Sequence, residues 1–145
     1  ERAFYAGEAL GIAEACFELS VKYARERVQF GKPIGAFQLI QAKLADMYTF
    51  IEAGRTLCYR AAVFADKAKG GGKGTEVHKL SSASILFNAE MAARIADQAV
   101  QIHGGYGYML EYPVQRFLRD AKLLEIGAGT SEIRRLIIAR EILSM

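Results

Sequence analysis

The sequence contains no tryptophan and only two prolines, two cysteines and two histidines. Cys16 and Cys58 both fall inside apolar helical patterns, so we expect two core thiols in a reducing compartment rather than a disulfide. A di-iron helical bundle binds its metals with Glu-x-x-His pairs, and neither His78 nor His103 has a glutamate three residues before it. We therefore predict no metal site.

The sequence also lacks long runs of charge and long apolar runs. The formal net charge is +3, and no basic tract is long enough to indicate a nucleic-acid surface. No apolar run reaches the length of a membrane span, and no signal or transit peptide is recognisable. The stretch GGGKGT (70–75) lacks the Gly-Lys-Ser/Thr order of a phosphate-binding loop, so we interpret it as part of a linker.

Apolar residues at helical spacing are abundant. Hydrophobic residues make up 52% of the sequence, enough for one domain with its own core. They recur three and four residues apart and no alternating stretch competes, so we predict an all-α fold. The predicted helices cover residues 1–28, 36–69, 75–103 and 130–143, with a shorter irregular or helical piece over 112–124. Long helices joined by short loops predict an up-down four-helix bundle.

The same pattern predicts how these helices begin and which sides they bury. Thr75 and Thr130 are suited to cap the third and the last predicted helix. The second helix is expected to bury a stripe that runs as far as Phe64. The last helix is expected to pack three apolar residues against the bundle, Ile133, Leu136 and Ile137.

Three joints between the helices carry more information than the helices themselves. They read RERVQFGKPIGAFQLIQAKLADM (25–47), QIHGGYGYMLEYPVQRFLRDAK (101–122) and IGAGTSEIRRLIIAREIL (126–143). In this order and spacing they resemble the signature segments of the C-terminal helical domain of the acyl-CoA dehydrogenase family, over nearly the whole chain. The resemblance implies that residues 1–145 are this domain. The full polypeptide would then also have an N-terminal helical domain and a middle β domain.

The resemblance also implies a function. Members of the family use FAD to oxidise a fatty acyl-CoA to the 2,3-enoyl-CoA. A carboxylate removes the α-proton while the β-hydrogen leaves as hydride to the flavin. The electrons then pass to an electron-transferring flavoprotein. The expected protein is a homo-oligomer, a tetramer or a dimer, acting in fatty acid or branched-chain amino acid catabolism. Its expected location is the cytoplasm if it is bacterial and the mitochondrial matrix otherwise.

By the same resemblance, cofactor contacts are expected at all three joints. Arg27 matches an arginine that reaches the FAD pyrophosphate of a neighbouring subunit, and its planar fork of donors suits two phosphates. The full set that resembles FAD contacts is Arg27, Phe30, Phe37, Gln38, Gln101, Ile102, His103, Gly104, Gly105, Thr130 and Glu132. The residues alone also permit simpler interpretations: Arg27 as a solvated arginine at a helix end, Phe37 as core, and Thr130 as a cap.

The catalytic base is absent from the position that many relatives use. In many members the loop before the last helix reads Glu-Gly-Thr and its glutamate is the base, whereas this chain has Ala128 there. Either the domain belongs to an inactive member or the base lies elsewhere. In the isovaleryl-CoA and long-chain branches it stands at the start of the first helix, before an arginine, and Glu1-Arg2 matches. The resemblance thus implies Glu1 as the catalytic base and Arg2, Ala128 and Gly129 as substrate contacts. Without the resemblance, Glu1 is better explained as an ordinary N-terminal glutamate favoured by the helix dipole.

Two alternatives remain open at the level of sequence. A flavin oxidase or monooxygenase relative would have the same fold and react with oxygen instead of a flavoprotein. A non-catalytic helical assembly module would use the three joints only for contacts between subunits.

Overall fold

The computed structural model describes residues 2–68 and 72–143, with side chains from Phe4 onward. Three long helices form most of it: α1 (Arg2–Glu26), α2 (Gln38–Lys67) and α3 (Glu76–His103). They are followed by the one-turn helix α4 (Gly105–Tyr108) and two 13-residue helices, α5 (Val114–Ile126) and α6 (Ser131–Leu143). A hairpin of β1 (Val28–Gln29) and β2 (Lys32–Pro33) and a 3₁₀ turn (Ile34–Ala36) join α1 to α2.

Helix α3 is the centre of the bundle. It packs against α1, α2, α5 and α6, and α1 in turn contacts α2 and α5. This arrangement confirms the predicted all-α bundle. At the C-terminal end two short helices, α5 and α6, cover α3 in succession, close to the ranges predicted for the shorter piece and the last helix. Within the part of the chain that the structure describes, no helix is both long and apolar enough to cross a membrane.

Small residues form the buried side of α1. Ala6, Ala9, Ala13 and Cys16 are fully buried at helical spacing, which lets the α1 backbone approach its neighbours closely. Both cysteines are free and buried, as the sequence predicts. Burial raises the pKa of the Cys16 thiol to about 12, so this thiol stays protonated and unreactive at neutral pH.

The buried stripe of α2 differs from the predicted one at its C-terminal end. It runs through Met47, Ile51, Gly54, Cys58 and Ala61. Phe64, which was expected to continue the stripe, is 41% exposed. Gly54 lies in the middle of this stripe, at the contact with α3. A Cβ atom on Gly54 would lie 2.5 Å from Oδ1 of Asn88, so the two helices meet where one of them has no side chain.

The prediction for the buried side of α6 is wrong for two of its three residues, whereas the third, Ile137, is half-buried. Ile133 and Leu136 are 47% and 50% exposed, while Ser131 and Arg134 are buried. Apolar spacing identifies a helix but does not say which of its sides faces the bundle. Here the guanidinium of Arg134 finds acceptors inside, and Ile133 and Leu136 point outward.

The first joint also differs from its prediction. The first helix was expected to continue to residue 28, whereas residues 28–33 form a hairpin. Phe30 and Gly31 have φ of +52° and +80°, the left-handed pair that a two-residue hairpin turn requires. A strand of two residues is too short to give an alternating pattern, so periodicity could not predict it.

The predicted N-caps are confirmed: Thr75 Oγ1 accepts from His78 N at 3.2 Å, and Thr130 Oγ1 accepts from Ile133 N at 3.4 Å.

Candidate functional site

A groove of ≈ 550 Å³ lies where the end of α1, the hairpin and the glycine segment after α3 meet. Its walls include Arg27, Gln29, Ile34, Gly104, Gly105 and Tyr106. The first and second joints of the sequence, which lie more than 50 residues apart along the chain, thus form one surface feature.

Arg27 is held over this groove by its backbone and by an aromatic ring. Its N–H donates to Tyr23 O at 2.9 Å and its carbonyl accepts from Ile34 N at 2.8 Å. The half-exposed guanidinium lies over the ring of Tyr106, 5.2 Å from the centroid. A guanidinium carries its N–H donors in a planar fork, so Arg27 is suited to bind two phosphate or carboxylate oxygens beside the ring.

The glycines beside Arg27 divide into two kinds. A Cβ atom on Gly104 or Gly105 would meet nothing within 4 Å, so the backbone there is open to a ligand. Gly104 also has φ of +59° and ψ of −135°, a conformation that L side chains rarely adopt. A Cβ atom on Gly107 would instead lie 2.5 Å from Val100 O. The first two glycines therefore leave space, whereas the third allows close packing.

His103 belongs to the floor of the groove. It is 5% exposed, its ring stacks on Tyr23 with centroids 4.3 Å apart, and Tyr112 meets it edge-on. Its Nδ1 lies 2.8 Å from Ala99 O, so Nδ1–H must be the donor in this hydrogen bond. Burial lowers the pKa of His103, which keeps the ring neutral at neutral pH. The positive charge at the groove thus comes from Arg27 and not from His103.

The hairpin places an aromatic platform next to the groove. Phe30 is 92% exposed, and its ring meets Phe37 edge-on at 6.1 Å between centroids. Lys32 Nζ lies 4.5 Å from the centroid of Phe37, and Gln38 follows as the exposed first residue of α2. A bulky residue with positive φ costs on the order of 1–2 kcal/mol, and such strain is concentrated at ligand sites.

The third joint forms a separate surface at the start of α6. Ala128 and Gly129 have φ of +52° and +101°, and the methyl group of Ala128 is exposed. The pKa of Glu132 is lowered because its carboxylate accepts from its own backbone N–H and from the hydroxyl of Thr130. Nearby, Glu125 pairs with Lys122 at 2.7 Å. Both glutamates beside the loop therefore already have partners within the chain.

The predicted site residues thus occupy two regions. The groove brings together Arg27, Ile102, His103, Gly104 and Gly105. Phe30 and Phe37 are in contact at the hairpin, Gln38 follows Phe37 in the chain, and Gln101 is exposed on the last turn of α3. Ile102 is 4% exposed and belongs to the core. The loop before α6 holds Ala128, Gly129, Thr130 and Glu132. Glu1 lies outside the described residues; Arg2 begins α1, and its side chain also lies outside them.

Sequence reasoning missed two residues that shape these regions. Tyr106 covers the guanidinium of Arg27, and the signal for it was an aromatic residue directly after a glycine pair. Arg134 is buried against the end of α5. The only sequence signal for the burial of Arg134 was its position three residues after Ser131, on the same side of the helix. An arginine at such a position is ordinarily expected to be solvated.

Comparison with known proteins gives consistent matches along the chain. The family described as "Acyl-CoA dehydrogenase, C-terminal domain" matches residues 1–143. The chain is 51% identical to a mitochondrial isovaleryl-CoA dehydrogenase of Oryza sativa subsp. japonica over 98% of its own length and 33% of that protein. It is 52% identical to a probable acyl-CoA dehydrogenase of Bacillus subtilis, over 93% of the chain and 34% of the relative.

Solved structures are also similar to this chain over nearly its whole length. Butyryl-CoA dehydrogenase from Megasphaera elsdenii superimposes with a TM-score of 0.91 at 42% identity, covering 98% of this chain and 36% of that one. The chain thus spans about a third of the length of the proteins that it matches.

Proposed function

Because this chain belongs to the acyl-CoA dehydrogenase C-terminal domain family, we propose that it is the C-terminal helical domain of an FAD-dependent acyl-CoA dehydrogenase. The complete enzyme would also contain an N-terminal helical domain and a middle β domain. It would oxidise an acyl-CoA to the 2,3-enoyl-CoA. The observation that carries this proposal is the family match over residues 1–143 together with about 50% identity to named acyl-CoA dehydrogenases.

The groove supports an FAD contact by its chemistry. The family is flavin-dependent in general. Arg27 would bind the pyrophosphate with its donor edge, and Gly104 and Gly105 offer an open backbone beside it. Phe30 and Phe37 offer an apolar platform at the hairpin. When bound, FAD would supply the acceptor for the hydride that leaves the β-carbon of the acyl group.

The second surface supports a contact with the same cofactor and with the acyl-CoA. Thr130 and Glu132 at the start of α6 would face the cofactor, and the small residues Ala128 and Gly129 would leave room for substrate. Among the described residues, no backbone hydrogen bond joins this loop to the groove at Arg27, and no residue of the loop lines that groove. We therefore propose a homo-oligomer, a tetramer or a dimer, in which the groove of one subunit serves the cofactor bound by its neighbour.

The catalytic base is proposed to be Glu1. At Ala128 there is no side chain that can accept a proton, and Glu125 and Glu132 are engaged by other partners. The identity to an isovaleryl-CoA dehydrogenase supports a base at the start of α1, where the resemblance puts it. A carboxylate there would take the α-proton, and Arg2 would lie beside the substrate.

Electrons would leave to an electron-transferring flavoprotein. The enzyme would act in fatty acid or branched-chain amino acid catabolism, in the cytoplasm of a bacterium or in the mitochondrial matrix. The relatives include both mitochondrial and bacterial proteins.

The test uses the full-length protein that contains this domain. We expect a yellow, FAD-containing oligomer whose visible absorption bleaches when an acyl-CoA is added without oxygen. Glu1→Gln should abolish bleaching while FAD is retained, because only the proton acceptor is removed. The matched control is Glu8→Gln, which changes an exposed glutamate on the same helix and should leave bleaching unchanged.

A rescue variant adds a second test of the base. Glu1→Gln combined with Ala128→Glu should regain part of the bleaching if both positions reach the same α-carbon. Ala128 already carries a Cβ atom in the left-handed region, so a glutamate adds little backbone strain. Normal turnover by Glu1→Gln alone would eliminate Glu1 as the base. A colourless protein would instead support the assembly module, and rapid oxygen consumption without transfer to a flavoprotein would support the oxidase.

A further inference from the structure

Arg134 is the most deeply buried charged residue among those described. Its side chain is 2% exposed on the first turns of α6. Nη1 donates to Leu124 O at 2.9 Å and Nη2 donates to Gly127 O at 2.8 Å. These oxygens lie at the C-terminus of α5, the negative end of the helix dipole, where a cation is favoured. The guanidinium therefore bonds the carbonyls from which the loop to α6 begins.

The backbone of the same residue holds the other end of that loop. Arg134 N donates to Thr130 O at 3.0 Å. A single arginine is thus bonded to Gly127 through its side chain and to Thr130 through its main chain. Between these two anchors lie Ala128 and Gly129, the consecutive positive-φ residues. An alanine in the left-handed region is unfavourable and persists only where the surrounding structure fixes it.

We propose that Arg134 is a positioning residue, which fixes the loop 127–130 in the conformation that presents its small side chains to the substrate. The part of this proposal that concerns substrate rests on the proposed function. The part that concerns the loop rests on the three hydrogen bonds alone. A lysine cannot replace the arginine fully, because its single ammonium group lacks the planar fork that reaches two carbonyl oxygens at once.

The chain provides a matched control in the next residue. Arg135 is exposed and binds the carboxylate of Glu90 at 2.6 and 2.8 Å, away from the loop. Arg134→Lys and Arg134→Gln should therefore be compared with Arg135→Gln in the full-length protein. All three variants change one arginine of the same helix.

The first measurement is amide hydrogen exchange, followed by mass spectrometry. The amides of Gly127, Ile133 and Arg134 are hydrogen-bonded in the loop region and report its opening. Loss of hydrogen bonds from a charged donor should speed exchange over residues 124–134 by about 10-fold to 100-fold in Arg134→Gln, and less in Arg134→Lys. Arg135→Gln should exchange like the parent protein there, and the core of α3 should be unchanged in all variants.

The second measurement is steady-state kinetics with an acyl-CoA. A loop that is displaced but still present should raise KM about 10-fold and change kcat much less, because the proposed base lies on α1. Arg134→Lys should recover part of this loss, and Arg135→Gln should match the parent protein.

Each other outcome overturns a definite part of the proposal. Unchanged exchange over 124–134, or equally faster exchange in α3, would mean that Arg134 does not position this loop specifically. Faster loop exchange with unchanged KM would overturn the role toward substrate. If the parent protein has no flavin and no turnover, the proposed function fails, and the exchange experiment still decides whether Arg134 holds the loop. If Arg134→Gln does not fold, Arg134→Lys supplies both measurements.

Discussion

At the scale of single residues, glycines that look alike in the sequence have opposite reasons to be glycine. Gly105 and Gly107 are two positions apart in the segment GGYG. One has open space where a side chain would be, and the other is pressed against Val100 and His103. The first is therefore available to a ligand, and the second is required by packing.

This contrast predicts different consequences for the same substitution. Gly107→Ala should destabilise the protein by roughly 1–3 kcal/mol, because its Cβ atom would meet a rigid backbone carbonyl. Gly105→Ala should leave the thermal midpoint nearly unchanged and reduce FAD retention, because the methyl group fills the space above the backbone. Thermal unfolding and the ratio of visible to protein absorbance measure both effects. Equal loss of stability in the two variants would contradict this division.

At the scale of elements, α6 is fastened at both ends. Its start is held by Thr130 and Arg134. Near its end, the carboxylate of Glu141 accepts from Gly74 N at 3.0 Å and contacts His78 Nδ1 at 2.6 Å. Gly74 and the first turn of α3 are thereby tied to the last helix. Because Ile133 and Leu136 are exposed, these polar ties add to the packing of α6 on α3.

The tie at Glu141 predicts a dependence of stability on pH. The backbone N–H of Gly74, and then His78, lower the pKa of Glu141 below its usual value. A lowered pKa in the folded state contributes stability that is complete above the unfolded value of about 4.3 and is lost as pH falls through the folded value. Glu141→Gln should therefore be less stable than the parent protein near pH 6.

The loss of stability caused by Glu141→Gln should become smaller as the pH falls. Urea unfolding midpoints between about pH 3 and pH 6 would measure the difference, with the exposed Glu8→Gln as the control. A difference between Glu141→Gln and the parent protein that stays constant over this range would show that the carboxylate contributes nothing through its ionisation.

At the scale of the whole molecule, two surfaces with related chemistry lie apart in one chain. The groove at Arg27 and the loop at Ala128 are formed by different joints, and the proposed oligomer would bring them to one cofactor. The outward apolar residues of α5 and α6, such as Leu123, Ile126 and Leu136, add exposed area that other parts of a larger assembly would cover.

Sharing of the cofactor between subunits predicts complementation. Subunits with Glu1→Gln retain Arg27, and subunits with Arg27→Gln retain Glu1. If Arg27 serves the neighbour, one of the two sites in a mixed dimer has both native residues. About half of the dimers in an equal, randomly assorted mixture are mixed, so about one quarter of all sites should regain activity. If Arg27 acts only within its own subunit, the mixture stays at the mean of the two parents. Co-expression with two different affinity tags would isolate the mixed oligomer for assay.

The sequence by itself determined the helical bundle, the core thiols, the N-caps and the family. These depend on local spacing, capping chemistry and motif order, all of which can be seen in a linear chain. Thr75 and Thr130 were predictable as caps because the hydroxyl acts on an amide three residues away.

Only the tertiary structure decided which sides of the helices face inward and which joints meet. The burial of Arg134 and the outward direction of Leu136 depend on carbonyl oxygens supplied by α5, which no pattern within α6 records. The hairpin at Phe30 was too short to leave a periodic signal. The stacking of Arg27 on Tyr106 joins residues almost 80 positions apart. Such contacts are set by the packing of whole helices against α3, and local sequence does not specify that packing.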